Sequence, residues 1–555
     1  MVTSSIPTEQ DWQSPASLPA YDSLPHRHYD FNSIMSNAKS TAETGTDFYD
    51  RGLTTRKYAL AGVACSSIVS CCCITAGTVV MSTCGISGGV WLAGNATAVP
   101  SYLQSEMLVL TLNLIITLCT ESIGFIHSIS LRSALASESR LSFNTNLRLM
   151  TAARGWRDPN GTLLNALMAV LLIISYGSAT LAASLFSIIG FPFLILGIAL
   201  FLQVAIALAG MRSVKTLTWS YSPFDVTAAL VHHTQLTPSS FRCMRGVSES
   251  DRDIIGGPAK PSEVQPSAWH AHSSIRKVVV FLWGLVLACA GWAVLIVYKH
   301  NQDEPWKSWS LLPDSSYDLY YFLGVQAQFA DIKAISVQTW ILAFVNIAAV
   351  QGPLTIGLHC SELIANVIQN ERQWRCATTR NGLRTVTNPL KAFLANPLGL
   401  FLFVLKHVLH WMFGLSFSFA PGGMTHGNKI VIVQYTAIMN VYQIMNLCIA
   451  LCIFACVFTL LALRRPCGPQ PATYGHLQTL ANLVDEWSPV MWWGHKEDGI
   501  PYCHAGTSSH LLPDVEMDCV YAGSGVVSHS PNQGEAPVLE KPHHRTRHSC
   551  RLPHR

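Results

Sequence analysis

Ionisable and hydrogen-bonding side chains recur at helical spacing inside segments that are otherwise apolar. They form two stripes and one pair: Asn113, Thr117 and Glu121; Gln351, Thr355, His359 and Glu362; Lys406 and His410. An ionisable group in hydrocarbon is costly unless it faces protein or water. Lys406 and His410 lie one turn apart, so either can meet a carboxylate from another helix. This pattern predicts a polar solute path, and the alternative is interhelical hydrogen bonding that only stabilises the bundle.

The elements that must position these residues are membrane-spanning helices. Of 555 residues, 50% are hydrophobic and 12% are charged, against about 25% charged in a typical soluble protein. Segments of about 20 apolar residues, enough to cross a bilayer, occur at 58–81, 107–130, 163–185, 187–210, 278–298, 338–360, 397–419 and 441–463. The third and fourth share one apolar run, which we divide at Gly190–Pro192. The sequence predicts an all-α polytopic bundle of about eight spans.

Polar segments separate the spans into two groups of four. The predicted units are a disordered cytoplasmic N-terminus (1–57), a first four-helix half (58–210), a cytoplasmic loop (211–277), a second half (278–463), a cytoplasmic tail (464–519) and a disordered basic C-terminus (520–555). Both ends are too poor in apolar residues to form a core. The first 50 residues contain no apolar signal-peptide region, so we expect the first span to direct insertion.

The distribution of Lys and Arg predicts the orientation. Of the 36 basic residues, 31 lie in the five polar segments on one side of the bundle, which we call the basic side, and four lie on the other. By the positive-inside rule both termini are cytoplasmic, and we expect the plasma membrane rather than an internal membrane. Asn95, in the sequon Asn95-Ala96-Thr97, then faces the exterior or lumen and is predicted to carry a glycan.

Short matches suggest that the two halves are related. Cys119-Thr120-Glu121 lies toward the cytoplasmic end of the second span as Cys360-Ser361-Glu362 lies at that of the sixth, and Ile-Ala-Leu occurs at 198–200 and at 449–451. Both halves would have the same orientation, an architecture in which the substrate site lies where the halves meet. Matches of three residues arise easily by chance, so a parallel 4+4 repeat is one option for the architecture.

The tail contains a predicted amphipathic helix at 473–487. Leu477, Leu480, Val484 and Trp487 share its apolar face, and acidic residues lie opposite. An acidic polar face disfavours binding to an anionic leaflet. We therefore expect this helix to dock against loops of the same chain or against a cytoplasmic protein partner.

Several classes of function are disfavoured. The net charge of +4 indicates no nucleic-acid partner. The sequence contains no P-loop, GxSxG, HExxH or Rossmann glycine motif, so we expect no enzyme activity and no cofactor. Cys503, His504, His510 and Cys519 lack the paired spacing of a zinc site, so no metal site is predicted. The expected environment is the lipid bilayer, and the sequence sets no oligomeric state.

Five stretches resemble a family of multi-pass membrane proteins from filamentous fungi. They are RLSFNTNLRL (140–149), HWMFGLS (410–416), GPQPATYGHLQTLANLVDEW (468–487), MWWGHKEDG (491–499) and HAGTS (504–508). The resemblance extends from the second span to about residue 508. It implies a fungal integral membrane protein with a folded tail helix, and it carries over no functional residue.

Two functions are therefore predicted. In the first, the chain transports a small solute along a polar path lined by the two stripes and Lys406, coupled to protons through the carboxylates or His359. In the second, it is a membrane anchor whose tail helix recruits a cytoplasmic partner.

Overall fold

A computed structural model gives the structure of this chain. It describes residues 53–86, 88–91, 102–144, 149–184, 187–239, 241–247, 257–300, 318–322, 337–384, 394–426, 429–499 and 501–522. Asn95 lies outside the described residues, as do residues 1–52 and 523–555. The first helix begins at Leu53, inside the segment predicted to be disordered, because its polar first turns pack against the protein: Thr55 is buried and the Arg56 guanidinium lies over the Trp219 ring.

The prediction of an all-α membrane bundle is confirmed. The helices are α1 (Leu53–Cys84), α2 (Tyr102–Ser137), α3 (Thr162–Ala182), α4 (Gly190–Ser213), α5 (Pro223–His232), α6 (Ala268–Ala271), α7 (Ser273–His300), α8 (Val337–Cys360), α9 (Glu362–Arg375), α10 (Pro397–Ser416), α11 (Val441–Leu463) and α12 (Leu477–Leu483). In the described part of the chain, eight helices are long and apolar enough to cross a membrane: α1–α4, α7, α8 (continuing into α9), α10 and α11. The break between α3 and α4 falls at the predicted Gly190.

The strands form two small sheets. They are β1 (Gly88–Trp91), β2 (Ala183–Ser184), β3 (Ser187–Ile189), β4 (Asp318–Phe322), β5 (Leu383–Arg384), β6 (Phe417–His426), β7 (Lys429–Asn440), β8 (Val490–Glu497), β9 (Cys503–Ser508) and β10 (Tyr521–Ala522). A six-stranded sheet with the order β2-β3-β1-β7-β4, in which β6 also pairs with β7, connects the helices on the side opposite the basic side. The second sheet, with the order β10-β9-β8-β5, lies on the basic side.

Each half of the membrane domain has its own apolar core. One cluster of buried side chains joins the four helices α1–α4, and another joins α7, α8, α10 and α11 and also includes Leu181 and Ile189 of the first half. Close packing of α1 on α4 depends on small residues. A Cβ atom added at Gly197 would lie 2.9 Å from the carbonyl oxygen of Ser70, whose hydroxyl donates to the Gly197 carbonyl at 2.8 Å. The apolar cores therefore follow the two predicted groups of four spans.

The pairing of elements also repeats between the halves. The hairpin β2–β3 pairs with β1 through its second strand, as the hairpin β6–β7 pairs with β4 through its second strand. Helix α1 packs on α4 as α7 packs on α11, and the halves meet where α2 contacts α10 and α3 contacts α8. The second helix of each half thus contacts the third helix of the other, as a pseudo-twofold arrangement requires. This topology supports the 4+4 repeat more strongly than the short sequence matches do.

A folded unit covers the basic side of the bundle. Its core combines α5 and α12 with Trp374 and the small sheet. The Glu371 carboxylate of α9 anchors the tail, because Oε2 accepts hydrogen bonds from the amides of Thr473 at 2.8 Å and Tyr474 at 2.9 Å. Gly475 follows at φ +77°, where a Cβ atom would lie 2.5 Å from the Asn370 amide nitrogen. The tail is thus packed into the protein from Gln470 onward.

The tail helix is shorter than the predicted 473–487. Helix α12 spans only Leu477–Leu483. Tyr474 and Gly475 have positive φ, which an α-helix cannot accommodate, so the helix starts only after this turn. The His476 side chain caps its first turn by accepting a hydrogen bond from the Thr479 amide. Beyond Leu483 the chain turns toward β8. Strand β10 likewise begins at Tyr521, inside the C-terminal segment predicted to be disordered from 520.

Candidate functional site

Four ionisable side chains meet where the two halves touch. The Lys406 ammonium lies 2.5 Å from Glu121 Oε1 and 3.5 Å from His359 Nδ1, and it also donates to Glu362 Oε1. Glu121 comes from α2 of the first half, and the other three come from the second half. We call Glu121, His359, Glu362 and Lys406 the lysine cluster.

Local sequence explains how the second half presents its three members. Helix α8 ends at Cys360 and α9 starts at Glu362, so the Glu362 carboxylate turns back onto His359, with 3.1 Å between Oε1 and Nδ1. Helix α10 starts at Pro397 after Asn396, whose side chain accepts a hydrogen bond from the Gly399 amide. Lys406 lies nine residues further on, about 14 Å along the helix axis. The cation is therefore held inside the bundle rather than at its edge.

Burial within the lysine cluster is uneven. The side chains of Lys406 and His359 are 3% and 0% exposed, whereas those of Glu121 and Glu362 are each 28% exposed. Two carboxylates face a single ammonium group, so the cluster carries excess negative charge while His359 is neutral. A charged group this far inside an apolar bundle is expensive, and the ion pairs compensate it. The carboxylates are thus the more exposed members of the lysine cluster.

A layer of neutral polar groups adjoins the lysine cluster. The Tyr176 ring of α3 stacks on His410 with 3.9 Å between ring centroids and 9° between planes. The Tyr176 hydroxyl lies 3.1 Å from the Thr117 hydroxyl, and Gln351 Nε2 lies 3.4 Å from His410 Nδ1. We call Thr117, Tyr176, Gln351 and His410 the tyrosine layer. The Tyr176–His410 stacking joins the two halves, and each of the two neutral hydrogen bonds lies within one half.

Two buried polar atoms near this layer lack a hydrogen-bond partner in the described part of the chain. They are Oδ1 of Asn113, one turn from Thr117, and Nε2 of His410. Buried polar atoms in proteins nearly always bind a protein group, an ordered water or a ligand. These two atoms therefore indicate a place for water or solute beside the tyrosine layer.

Polar contacts continue along α2 toward the opposite side. The Trp411 indole donates to Glu106 Oε2 at 2.9 Å. Glu106 and Glu121 are fifteen residues apart on one helix, which is about 22 Å along its axis. Contacts between α2 and α10 thus place polar groups at several levels of the bundle.

The structure brings together most residues of the predicted path. Glu121, His359, Glu362 and Lys406 share one cluster, so the predicted pairing of Lys406 with a carboxylate of another helix is confirmed. Thr117, Gln351 and His410 are linked in the tyrosine layer. The remaining two bond within their own helices: Thr355 donates to the Gln351 carbonyl and Asn113 to the Val109 carbonyl.

Tyr176 is the member that sequence reasoning missed. Its neighbour at helical spacing is Thr180, a small hydroxyl residue that is common in membrane helices, so the local pattern carries no signal of a site. Its hydroxyl contacts Thr117 and Thr120, and the aromatic ring lies against His410. A buried tyrosine needs a partner for its hydroxyl, which is the one general clue available.

The apolar residues of the tail helix are covered by this chain. Leu477, Leu480, Val484 and Trp487 are buried, Leu477 against α5 and the other three in the core of the folded unit. Docking against segments of the same chain therefore accounts for this face. The hypothesis of an anchor that recruits a partner through these side chains receives no support from their placement.

A second charged cluster lies in the folded unit. Asp485 Oδ2 accepts from His504 Nε2 and from Lys496 Nζ, both at 2.9 Å, while Oδ1 accepts from the Thr507 amide at 2.6 Å. His504 Nδ1 faces the Ala522 carbonyl at 3.2 Å, so acceptors lie at both ring nitrogens and favour the imidazolium form. We call Asp485, Lys496 and His504 the tail cluster.

The two central members of the tail cluster have shifted pKa values. Burial raises the pKa of the Asp485 carboxyl, but the hydrogen bond from His504 and the charge of Lys496 outweigh burial and lower that pKa to about 2. Burial lowers the pKa of His504, but hydrogen bonds with Asp485 and Cys243 outweigh it and raise the pKa to about 10. Asp485 and His504 are thus ionised and paired with each other at neutral pH.

Comparisons with protein-family models, curated proteins and solved structures give no match to this chain. The functional argument therefore rests on the geometry of the two clusters and the tyrosine layer.

Proposed function

We propose that this multi-pass membrane protein is transporter-like and moves a small solute through a polar path between its two four-helix halves. The observation that carries the proposal is the lysine cluster, in which ionisable groups of both halves meet inside the bundle. Charged residues within membrane helices are rare in proteins and commonly mark substrate or ion pathways.

The composition of the interface supports this proposal. Glu121 and Glu362 are partly exposed while Lys406 is not, so the excess negative charge faces the accessible side. The unpartnered atoms of Asn113 and His410 add hydrogen-bonding capacity that protein groups do not fill. A scaffold that only needed cohesion would gain as much from close apolar packing.

The connectivity of the cluster supports a moving interface. Lys406, His359 and Glu362 belong to the second half, and Glu121 is the ion-pair partner that the first half supplies. Because the side chains of each half pack mainly in an apolar cluster of that half, a relative motion of the halves would break the Lys406–Glu121 contact and preserve the contact of Lys406 with Glu362. Parallel repeats that move about a shared site are an established transporter architecture.

The test is untargeted metabolite profiling of cells and medium. It compares the wild type, a deletion strain, and deletion strains that express either the Glu121→Gln plus Glu362→Gln variant or the matched control Glu263→Gln plus Glu497→Gln at equal levels. The control carboxylates are exposed and lie outside the membrane helices. We expect a solute that is redistributed in the deletion strain and is restored by the control variant but not by the Glu121, Glu362 variant.

Full restoration by the Glu121, Glu362 variant would contradict the proposal, because both carboxylates would then be structural. Unchanged metabolites in the deletion strain would contradict it as well.

A further inference from the structure

We infer that the lysine cluster is a binding site for a divalent transition-metal ion of the zinc or manganese type, with Glu121, His359 and Glu362 as its ligands. The ion would be the transported solute, so this inference rests on the proposed function and specifies its substrate class.

The spacing of the three ligand atoms fits such an ion. His359 Nδ1 lies 3.1 Å from Glu362 Oε1 and 3.6 Å from Glu121 Oε1. The three ligand atoms all lie within 4.8 Å of one another. Zinc bonds of about 2.0–2.1 Å at tetrahedral angles place neighbouring ligand atoms about 3.4 Å apart. The two distances to His359 bracket this value, so small side-chain movements would complete the site.

The chemistry of the ligand set selects the class of metal. One imidazole and two carboxylates suit zinc and manganese, whereas calcium and magnesium prefer sites made only of oxygen atoms. The two carboxylates also neutralise a divalent charge in full, which matters inside an apolar bundle. A single ammonium group neutralises only one of them.

Lys406 shows that this position already holds a cation. Its ammonium contacts all three ligand residues, and the metal ion would take the same place. Four flexible methylene groups let the lysine head withdraw while its stem stays anchored in α10. The metal ion and Lys406 therefore compete for one site. This exchange prevents the two carboxylates from being buried without a counter-ion.

The accessibility of the ligands agrees with an exchange of cations. The carboxylates are partly exposed while the ammonium between them is covered, so an incoming ion would meet Glu121 or Glu362 first. The imidazole at the buried end would complete the coordination. Entry, displacement of the lysine and full coordination then follow in that order.

The test measures Zn²⁺ binding to the full-length chain purified in detergent, by equilibrium dialysis at matched free Zn²⁺. It compares the wild type, Lys406→Met, the triple variant Lys406→Met plus Glu121→Gln plus Glu362→Gln, and the control Lys277→Met. Lys277 is exposed at the start of α7. Histidines elsewhere add the same background to each variant. We expect Lys406→Met to bind one more Zn²⁺ per chain than the triple variant does. At this site Lys406→Met should bind Zn²⁺ at least tenfold more tightly than the wild type. The control Lys277→Met should bind Zn²⁺ as the wild type does.

A second measurement, the unfolding temperature with and without Zn²⁺, keeps the inference testable if Lys406→Met is less stable than the wild type. Zn²⁺ that binds the native state raises the unfolding temperature by mass action. Zn²⁺ should therefore raise the unfolding temperature of Lys406→Met more than it raises the unfolding temperature of the triple variant. In a second pair, Zn²⁺ should raise the unfolding temperature of the wild type more than it raises that of the double variant Glu121→Gln plus Glu362→Gln. The inference would be overturned if Zn²⁺ bound equally to Lys406→Met and the triple variant, and if Zn²⁺ stabilised the two proteins of each pair equally. Stabilisation by methylammonium but not by Zn²⁺ would also overturn it, in favour of an organic amine.

The results also separate the two proposals. Loss of solute redistribution in the Glu121, Glu362 variant without any Zn²⁺ difference would overturn the metal site and keep transport. Zn²⁺ binding at the cluster without any redistributed solute would keep the metal site and overturn transport.

Discussion

The lysine cluster and the tail cluster contain the same chemical groups in opposite arrangements. Each combines carboxylate, ammonium and imidazole groups at hydrogen-bonding distance. In the tail cluster both oxygens of Asp485 are bonded, and its partners lie within 22 residues along the chain. In the lysine cluster, Lys406 and His359 both contact the same oxygen of Glu121, and Lys406 is 285 residues from Glu121.

This difference separates a structural ion pair from a functional candidate. The tail cluster balances its charges within one folded unit, so it has no reason to open. The lysine cluster has two carboxylates for one ammonium and is divided between two halves, each of which packs mainly in an apolar cluster of its own. The types of charged group are the same in both clusters. The clusters differ in whether each carboxylate oxygen has its own partner and in whether the partners belong to one folded unit.

The largest expected effect is on stability when Lys406 is replaced. Lys406→Met leaves two carboxylates inside the bundle without a cation, and breaking a buried ion pair costs about 3–5 kcal/mol. Replacing the half-buried Lys496 by Met in the tail cluster should cost no more than about 1 kcal/mol. Thermal unfolding in detergent without added metal checks both values.

Adding Glu121→Gln and Glu362→Gln to Lys406→Met should recover much of that loss, because no charge is left unpaired. If Lys406→Met were as stable as the wild type, the ion pairs would contribute nothing and the contrast between the clusters would fail.

A smaller effect is expected when Asp485 is neutralised. Asp485→Asn removes the partner of both Lys496 and His504, and because a partly exposed ion pair contributes about 1 kcal/mol, we expect a total cost of about 2 kcal/mol. Amide hydrogen exchange in β8 and β9 should become faster, while exchange in the membrane helices stays the same. Uniformly faster exchange along the whole chain would show that the folded unit and the bundle unfold together.

The pH dependence of the folded unit follows from the same pair. The pKa of His504 is raised to about 10, so its stabilising contribution is complete below its ordinary pKa of about 6.5 and is lost as pH rises toward 10. The pKa of Asp485 is lowered to about 2, so its contribution is present above about pH 4 and is lost as pH falls toward 2.

Proteolysis of the tail between pH 6 and pH 9 checks this sign. Cleavage should increase toward pH 9 in the wild type and should depend less on pH in His504→Gln. Faster cleavage at pH 6 than at pH 9 would contradict the assigned protonation of His504.

The smallest expected effect concerns the tyrosine layer. Tyr176→Phe removes the hydroxyl that contacts Thr117 and Thr120 but keeps the ring on His410, so it should cost about 1 kcal/mol of unfolding free energy. Tyr176→Leu removes the stacking as well and should cost more. Chemical unfolding of the two variants distinguishes the hydroxyl from the ring, and equal losses would assign the whole effect to the hydroxyl.

The sequence predicts the helices well because each must satisfy hydrophobicity and length by itself. Even the break at Gly190 follows from local sequence. It also predicts which polar residues of α2 and α8 share a face, since that depends only on helical period. The contact of Lys406 with two carboxylates is partly predictable, because a buried ammonium requires an anionic partner.

Features that depend on packing between distant segments could not be predicted. Tyr176 joins the site only because α3 packs on α8 across the two halves. Asp485, Lys496 and His504 have no spacing of a known motif, and their meeting depends on the turn that shortens α12 and on the pairing of β8 with β9. The six-stranded sheet likewise depends on strand pairings between loops far apart in the chain.

The anchoring of the tail by Glu371 has a mechanical consequence. Helix α9 carries Glu362 at its first residue and Glu371 nine residues later, about 14 Å along one rigid rod. One end of this rod contacts Lys406, and the other holds the amides of Thr473 and Tyr474. A tilt of α9 would therefore move both ends at once, so a change in the contacts of Lys406 would shift the buried turn at Thr473 and Tyr474 in the folded unit.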